Sequence, residues 1–198
     1  MKTYLFIIIS LLISGHSYSQ AISISTDTKN ARISFGIKKI REAASGKKWQ
    51  IIEPSSMLQI NGILFSVQII SDSAKSSEII RSNKWKPVVS MDAQCYAIRI
   101  NKKEDNETIY ILSGESTGAM YGALDIAEAI ECNSINQLKE SDNTPYLKKR
   151  GIKFNIPLDL RTPSYSDPGD AHQQNIGDVW SLDFWQTYFD EMAIHRYN

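Results

Sequence analysis

Apolar and polar positions are patterned most clearly between residues 107 and 131. Thr108–Leu112 is a short apolar run that is followed by Gly114, and this pattern predicts a strand. Apolar residues then recur at helical spacing, at Met120, Ala123, Leu124, Ala127 and Ile130. Ser116 or Thr117 is expected to cap this helix, because a hydroxyl oxygen can accept from first-turn N–H groups. The stretch therefore predicts a strand, a tight turn and a helix whose apolar stripe lies in a core.

The pattern upstream predicts a further helix and several short strands. Ala31–Ser45 has apolar residues at helical spacing and is followed by Gly46, which predicts a helix. Strands are predicted at Ala21–Thr26, Trp49–Ile52, Leu58–Ile60, Leu64–Ile70 and Cys95–Ile100. Asn61-Gly62 has the composition of a hairpin turn between two of them. Together these elements predict an α+β domain, with helices on one face of an antiparallel or mixed, mostly antiparallel, sheet.

The start of the chain has the pattern of a secretory signal peptide. Lys2 precedes an apolar run, Tyr4–Ile13, and the small residues Ser17 and Ser19 follow it, as at a cleavage site. The run is too short to span a bilayer comfortably, and no second run follows. We therefore expect residues 1–19 to be removed, and the mature chain to be secreted or periplasmic with no membrane span.

Charge and cysteine content narrow the classes of partner. The 22 basic residues equal the 22 acidic ones, which argues against nucleic acid and against an anionic membrane surface as partners. Cys95 and Cys132 are too few for a disulfide framework, and either one bridge or two separate buried thiols is compatible with them. Asp167, Asp170 and Asp178 lack the spacing of a calcium loop, so we predict no metal and no cofactor.

Gly114–Gly118 also fits the G-x-S-x-G pattern of a nucleophile elbow between a strand and a helix. A serine esterase would need a histidine for Ser116, and only His172 and His195 follow it in the chain. A structural interpretation requires only that Gly114 allow a tight turn and that Gly118 let the helix lie close to the sheet. The pattern favours the structural turn, and a serine esterase is the alternative.

The composition becomes polar over residues 133–149, which predicts a linker after an accessory domain at residues 20–132. Arg150–Ile156 then reads as a strand, and Asp183–Arg196 as an amphipathic helix after a long loop. A strand, a loop and a helix make one βα unit, whereas a complete (β/α)8 barrel needs about 250 residues. Residues 150–198 are therefore predicted to be the first βα unit of an incomplete TIM barrel.

Three motifs carry a resemblance to a known group of enzymes. They are GAMYGALDIAEAI on the predicted helix, the Arg150-Gly151 pair that opens the next strand, and MAIHRYN near residue 198. With them, residues 21–198 resemble the start of secreted bacterial glycoside hydrolases, the β-hexosaminidases of family 20 and the α-glucuronidases of family 67. The resemblance implies the N-terminal fragment of an enzyme that hydrolyses glycosidic bonds in polysaccharide or glycan breakdown. Its implied partners are a carbohydrate substrate and the remainder of the barrel.

The same resemblance implies a substrate-binding set in the loop. In the hexosaminidases an arginine just after the first barrel strand binds sugar hydroxyls, and Arg161 is the nearest match, about three residues further along. A guanidinium can donate two parallel hydrogen bonds to adjacent oxygens. Asp159 could bind the sugar or pair with Arg161, and Tyr165 could stack on a sugar face or pack under the loop. The paired carboxyl groups of glycosidases lie on later strands, so no catalytic residue is assigned and the segment is expected to be inactive alone.

A non-catalytic module that binds glycan or a protein partner is the alternative function. Trp49 and Trp85 motivate it, because aromatic side chains on loops are a frequent feature of binding surfaces. A module of this kind should keep its glycan affinity when residues 148–198 are deleted.

Overall fold

The computed structural model describes residues 20–55, 62–103, 106–152 and 181–198. The predicted signal peptide and the predicted strand Leu58–Ile60 lie outside these ranges, as does most of the predicted barrel strand. The strands are β1 (Ala21–Thr26), β2 (Gln50–Ile52), β3 (Leu64–Ile70), β4 (Tyr96–Lys103), β5 (Asn106–Ser113) and β6 (Ser141–Asn143). The helices are α1 (Ala31–Gly46), α2 (Ser73–Ser82), α3 (Ser116–Glu131) and α4 (Leu182–Ile194), with a 3-10 turn at Ile135–Gln137.

Six strands form one mixed sheet in the order β2-β1-β3-β5-β4-β6. The first four are parallel to one another, whereas β4 is antiparallel to both β5 and β6. The α+β class with a mixed sheet is confirmed, but the expectation of a mostly antiparallel sheet is wrong. The connection from β1 to β2 runs through α1, and a crossover of this kind brings the second strand back parallel to the first.

Helices cover both faces of the sheet. α1 and α3 pack on one face, over a core that includes Phe65, Val67 and Ile109. α2 packs on the other face, where Ile80 meets Ala97 and Leu112. The expectation that all helices lie on one face is therefore wrong, because Ala97 of β4 and Tyr110 and Leu112 of β5 make part of the second face apolar, and α2 covers it.

The predicted strand, turn and helix at residues 107–131 are confirmed as β5 and α3, but the predicted cap is wrong. Glu115 caps α3: its Oε2 accepts from Thr117 N at 3.0 Å and its Oε1 from Gly118 N at 3.0 Å. Ser116 is the first residue of the helix, one position beyond the residue whose side chain reaches the first-turn N–H groups.

Part of the predicted linker belongs to the sheet. Ile135 is buried in the core, and Ser141–Asn143 pairs with β4 as an edge strand. Arg99, only 4% exposed, anchors this edge, because its Nη2 lies 2.7 Å from Asp142 Oδ1. The segment 133–149 is therefore in part an extension of the α/β domain.

Two further expectations concern the cysteines and the membrane. Cys95 and Cys132 are separate thiols and form no bridge. Cys95 is buried, but Cys132 is exposed, so the interpretation as two buried thiols is right for Cys95 only. Across the described ranges, no helix has both the length and the apolar character that a bilayer crossing requires.

Candidate functional site

The candidate site is the place where the end of α4 and the Arg150-Gly151 segment meet the start of α3. We call it the α3 junction, and it comprises Gln94, Glu115, Tyr121, Asp125, Arg150, Arg196 and Asn198. It lies near the carboxyl end of β5, and this edge of an open α/β sheet is where ligands commonly bind.

Two glycines let the chain approach closely at this edge. A Cβ at Gly118 would lie 2.1 Å from the carbonyl oxygen of Cys95, and a Cβ at Gly114 would lie 2.2 Å from that of Met91. Backbone oxygens cannot move aside as a flexible side chain can, so both positions require glycine. Gly118 acts as predicted. Gly114 is needed for close packing against Met91 and not for a left-handed turn, since its φ lies outside that region.

The structure assembles no nucleophilic triad among the residues that it describes. Ser116 is half-buried and makes no hydrogen bond with His195. His195 is exposed, and its Nε2 lies 3.7 Å from Glu191 Oε2 on the same helix. His172 lies outside the described residues. The glycine spacing of the G-x-S-x-G motif is thus accounted for by packing.

Glu115 joins the start of α3 to the loop before β4. Besides its capping bonds, its Oε1 accepts from Gln94 N at 2.8 Å. Burial raises the pKa of this carboxyl, but the hydrogen bonds from Thr117, Gln94 and Gly118 outweigh burial, and the net pKa lies below its ordinary value. Gln94 adopts a left-handed φ of 69°, which turns its N–H toward Glu115 and its side chain toward residues 148–150.

Arg150 ties the Arg-Gly segment to the end of α4. Its Nε donates to Arg196 O at 2.6 Å, its Nη1 to Leu147 O at 2.6 Å and its Nη2 to Gln94 Oε1 at 2.7 Å. Its backbone is held as well, because Arg150 N donates to Asn198 Oδ1 at 2.7 Å and Asn198 N donates to Arg150 O at 2.8 Å. Arg150 therefore acts as a structural bridge in this structure.

Arg196 ties the same helix end to α3. Its Nη2 lies 2.5 Å from Asp125 Oδ1, and Asp125 Oδ2 accepts a short hydrogen bond from the Tyr96 hydroxyl. Burial and the adjacent Asp125 carboxylate both raise the pKa of the Tyr96 phenol. The Arg150 and Arg196 guanidinium carbons lie 5.7 and 5.4 Å from the Tyr121 ring centroid, within the range of cation–π attraction.

α4 itself is held mainly at its C-terminal end. Ala193 and Ile194 pack against the core of the α/β domain, yet no residue of α4 is fully buried. Leu182 is 70% exposed and Phe189 is 58% exposed. An amphipathic helix with this much exposed apolar surface is typical of an element that contacts further chain or a ligand.

A cleft of about 580 Å³ opens beside the junction, between the start of α1 and α4. We call it the α1–α4 cleft, and Arg32, Phe35, Glu115, Phe189, Asp190 and Tyr197 are among its lining residues. A second cavity of about 390 Å³ lies between the Tyr146–Leu147 segment and the arginine pair. No group of three or more acidic, histidine or cysteine side chains that could hold a metal occurs in the part of the chain that the structure describes.

The substrate-binding residues predicted from the sequence, Arg161, Asp159 and Tyr165, all lie outside the described residues, so their role stays a prediction. The tryptophans that suggested a binding module pack within the domain. Trp49 stacks on buried Phe65 with ring centroids 5.3 Å apart, and Trp85 packs edge-on against Tyr110 at 5.2 Å.

Of the seven junction residues, sequence reasoning singled out only Arg150. It missed the other six: Gln94, Glu115, Tyr121, Asp125, Arg196 and Asn198. Asp125 carried a weak signal, because it is an acidic residue within an otherwise apolar part of the predicted helix. Gln94 and Arg196 had none, since nothing local to either one indicates its distant partner.

No protein-family model matches this chain, and no curated protein matches it. Among solved structures, a GH138 enzyme targeting pectin rhamnogalacturonan II is similar over 90% of the chain, with a TM-score of 0.55 and 14% identity. CpGH84D is similar over 62% of the chain, with a TM-score of 0.41 and 14% identity. The chain spans 18% and 19% of the lengths of these two proteins. The first likeness shows that this fold also occurs within a GH138 enzyme, and it does not single out families 20 or 67.

Proposed function

We propose that this chain is the amino-terminal part of an exported glycoside hydrolase. In this proposal the α/β domain is an accessory domain, and α4 is the first helix of a catalytic barrel that continues beyond residue 198. The accessory domain holds the start of the barrel through the α3 junction. The substrate class is a polysaccharide or glycan whose O-glycosyl bonds the whole enzyme hydrolyses.

The observation that carries the proposal is the two-arginine connection between the Arg-Gly segment, α4 and α3. Arg150 donates to Leu147 O and to Arg196 O, and Arg196 pairs with Asp125 at 2.5 Å. A flexible linker would not need hydrogen bonds that fix both ends of the following unit. These bonds support a fixed geometry between the accessory domain and the first barrel helix.

Two further observations support the proposal. Leu182 of α4 is 70% exposed, as expected of a barrel helix that packs against further barrel elements, because large apolar surfaces are usually covered. The fold similarity with a GH138 enzyme extends over 90% of the chain, but over only 18% of that enzyme. A longer parent protein agrees with both.

The proposal also covers how the enzyme binds its substrate and how it is exported. Arg161 and Asp159 are proposed to bind hydroxyls of the sugar at the edge of the active site, with Tyr165 against the ring. The resemblance to families 20 and 67 favours a hexosaminide or a glucuronide as substrate. Export rests on the signal-like residues 1–19, which contain the apolar run Tyr4–Ile13.

The decisive experiment compares this chain with the protein encoded by the uninterrupted natural gene. Both would be assayed on p-nitrophenyl glycosides and on polysaccharides, including hexosaminides, glucuronides and pectin. We expect hydrolysis by the longer protein, and none by residues 20–198 alone. A natural stop codon directly after Asn198, or a longer product with no barrel and no glycosidase activity, would overturn the proposal.

A further inference from the structure

The α1–α4 cleft has the size and lining of a small-ligand site. Its volume of about 580 Å³ lies within the range of roughly 300–1,000 Å³ that is usual for ligand pockets. α1 begins just after β1 and α3 just after β5, so the cleft lies at the carboxyl edge of the sheet. Ligands of open α/β sheets bind preferentially at that edge.

Aromatic rings form the apolar part of the cleft. Phe189 is 58% exposed and Tyr197 is 37% exposed, and Phe35 is half-buried on the opposite wall. Phe189 is held in place by its neighbours on α4, because it stacks on Trp185 with ring centroids 5.6 Å apart and meets Tyr188 edge-on at 5.8 Å. A ring that is fixed on one side and open on the other offers a flat apolar platform.

Two planar charged groups in the cleft are not used for folding. Within the described ranges, the Arg32 and Asp190 side chains make no ion pair and no hydrogen bond, whereas the Glu115 carboxylate already accepts three N–H groups. Arg32 lies in the first turn of α1, where a cation is unfavourable next to the positive end of the helix dipole. Helix stability therefore gives no reason for an arginine at this position.

Among the described residues, aromatic rings beside one free cation and one free anion are features that fit a neutral sugar better than an ion. A pyranose has an apolar C–H face that fits an aromatic platform, and adjacent hydroxyls that both donate and accept. A guanidinium can donate to two such oxygens, and a carboxylate can accept from two such hydroxyls. In the part of the chain that the structure describes, the two charges left free in the cleft, Arg32 and Asp190, have opposite signs, so either ionic sugar, a uronate or an amino sugar cation, would be attracted by one of them and repelled by the other. We propose that the α1–α4 cleft binds one neutral pyranose residue of a glycan, stacked on Phe189 and hydrogen-bonded by Arg32 and Asp190.

This inference draws its ligand class in part from the proposed glycan-related function, but it uses only residues that the structure describes. It can therefore be tested on the chain itself, without the remaining barrel. Isothermal titration of residues 20–198 with neutral oligosaccharides in the gluco, galacto, manno, xylo and rhamno configurations should reveal at least one that binds saturably. Glucuronate and galacturonate oligomers serve as the charged comparison.

Variants on the two sides of the cleft make the test specific. Phe189→Ala should weaken binding by about tenfold, as expected for loss of an aromatic contact. Arg32→Ala and Asp190→Asn should each weaken it by roughly ten- to hundredfold, as expected for loss of a charged hydrogen-bond partner. Leu182→Ala, an exposed apolar truncation on the same helix outside the cleft, should bind like the wild-type chain.

Several outcomes would overturn the proposal. They are the absence of saturable binding by every neutral sugar, preferential binding of the uronates, or equal losses for Phe189→Ala and Leu182→Ala. If Phe189→Ala fails to fold by circular dichroism, Asp190→Asn decides, because it changes one oxygen and leaves the aromatic packing intact. Binding by this chain together with an inactive longer protein would refute the proposed function alone. An active longer protein together with a chain that does not bind would refute the cleft alone.

Discussion

Replacing Gly118 by alanine tests why the G-x-S-x-G motif is present. In the folded chain the new Cβ would lie 2.1 Å from Cys95 O and 2.5 Å from Ser113 Oγ. The same Cys95 oxygen accepts the Ser113 hydroxyl at 2.7 Å, so the methyl group also obstructs a buried hydrogen bond. α3 or β4 must move to relieve the overlap, and both are packed in the core.

The expected cost follows from three contributions. Overpacking a core with one methyl group costs about 1–3 kcal/mol, and loss of the Ser113 hydrogen bond costs about 1 kcal/mol. Alanine returns about 1 kcal/mol, because it favours a helix more than glycine does. Gly118→Ala should therefore lower the free energy of unfolding by about 1–3 kcal/mol, measured by urea denaturation monitored by circular dichroism.

Two variants serve as controls in the same assay. A Cβ at Gly46 would meet nothing within 4 Å, so Gly46→Ala should leave stability unchanged or raise it by up to about 1 kcal/mol. Ser116 is not the cap, so Ser116→Ala should change stability by less than about 0.5 kcal/mol. If Gly118→Ala had the same free energy of unfolding as the wild type, α3 would not lie this close to β4. Ester hydrolysis that Ser116→Ala abolishes in a folded protein would contradict the packing explanation of the motif.

Three further results are expected. Glu115→Gln should lower stability by about 0.5–2 kcal/mol at pH 7. The wild-type carboxylate, whose folded pKa is lowered, contributes fully above its unfolded pKa of about 4.3 and loses that contribution as pH falls through the folded pKa. Between pH 7 and pH 3 the free energy of unfolding should therefore fall more steeply for the wild type than for Glu115→Gln. The same dependence on pH in both proteins would refute this. Arg196→Met should raise amide exchange in α4 without changing β5 or α3, and unchanged exchange would mean that Arg196 does not hold the helix. Cys132 is exposed and Cys95 buried, so iodoacetamide should modify Cys132 in the native protein and Cys95 only after unfolding; fast modification of Cys95 would contradict its burial.

Sequence alone determined the elements whose pattern is local. The positions of β1, β3, α1 and the β5–α3 unit follow from periodicity, because a single buried face is encoded within each segment. Gly46 marks the end of α1, and Gly114 follows β5. α2 was missed for the converse reason. Its only apolar side chains of any size are the adjacent Ile79 and Ile80, and its cap at Asp72 and the burial of Ile80 on the second face of the sheet complete the helix.

Strand order was decided only by the tertiary structure. A strand's own residues record which face is buried but not which strand lies beside it. The polar β6 joins the sheet because β4 presents a free edge and a buried arginine, Arg99, for Asp142. No pattern within residues 141–143 could indicate this pairing.

Some features of the candidate site were visible in the sequence, and others were decided only by the tertiary structure. The Arg150-Gly151 pair and the glycines of the α3 turn were visible in the sequence, since motif and spacing are local. Their function as a junction was not visible, because Arg196 reaches Asp125 across 71 positions and Arg150 reaches Gln94 across 56. Such contacts exist only after the sheet has brought the carboxyl end of β5, the loop before β4 and the end of α4 together. Local patterns determined which segments fold, and long-range packing determined which charged side chains meet.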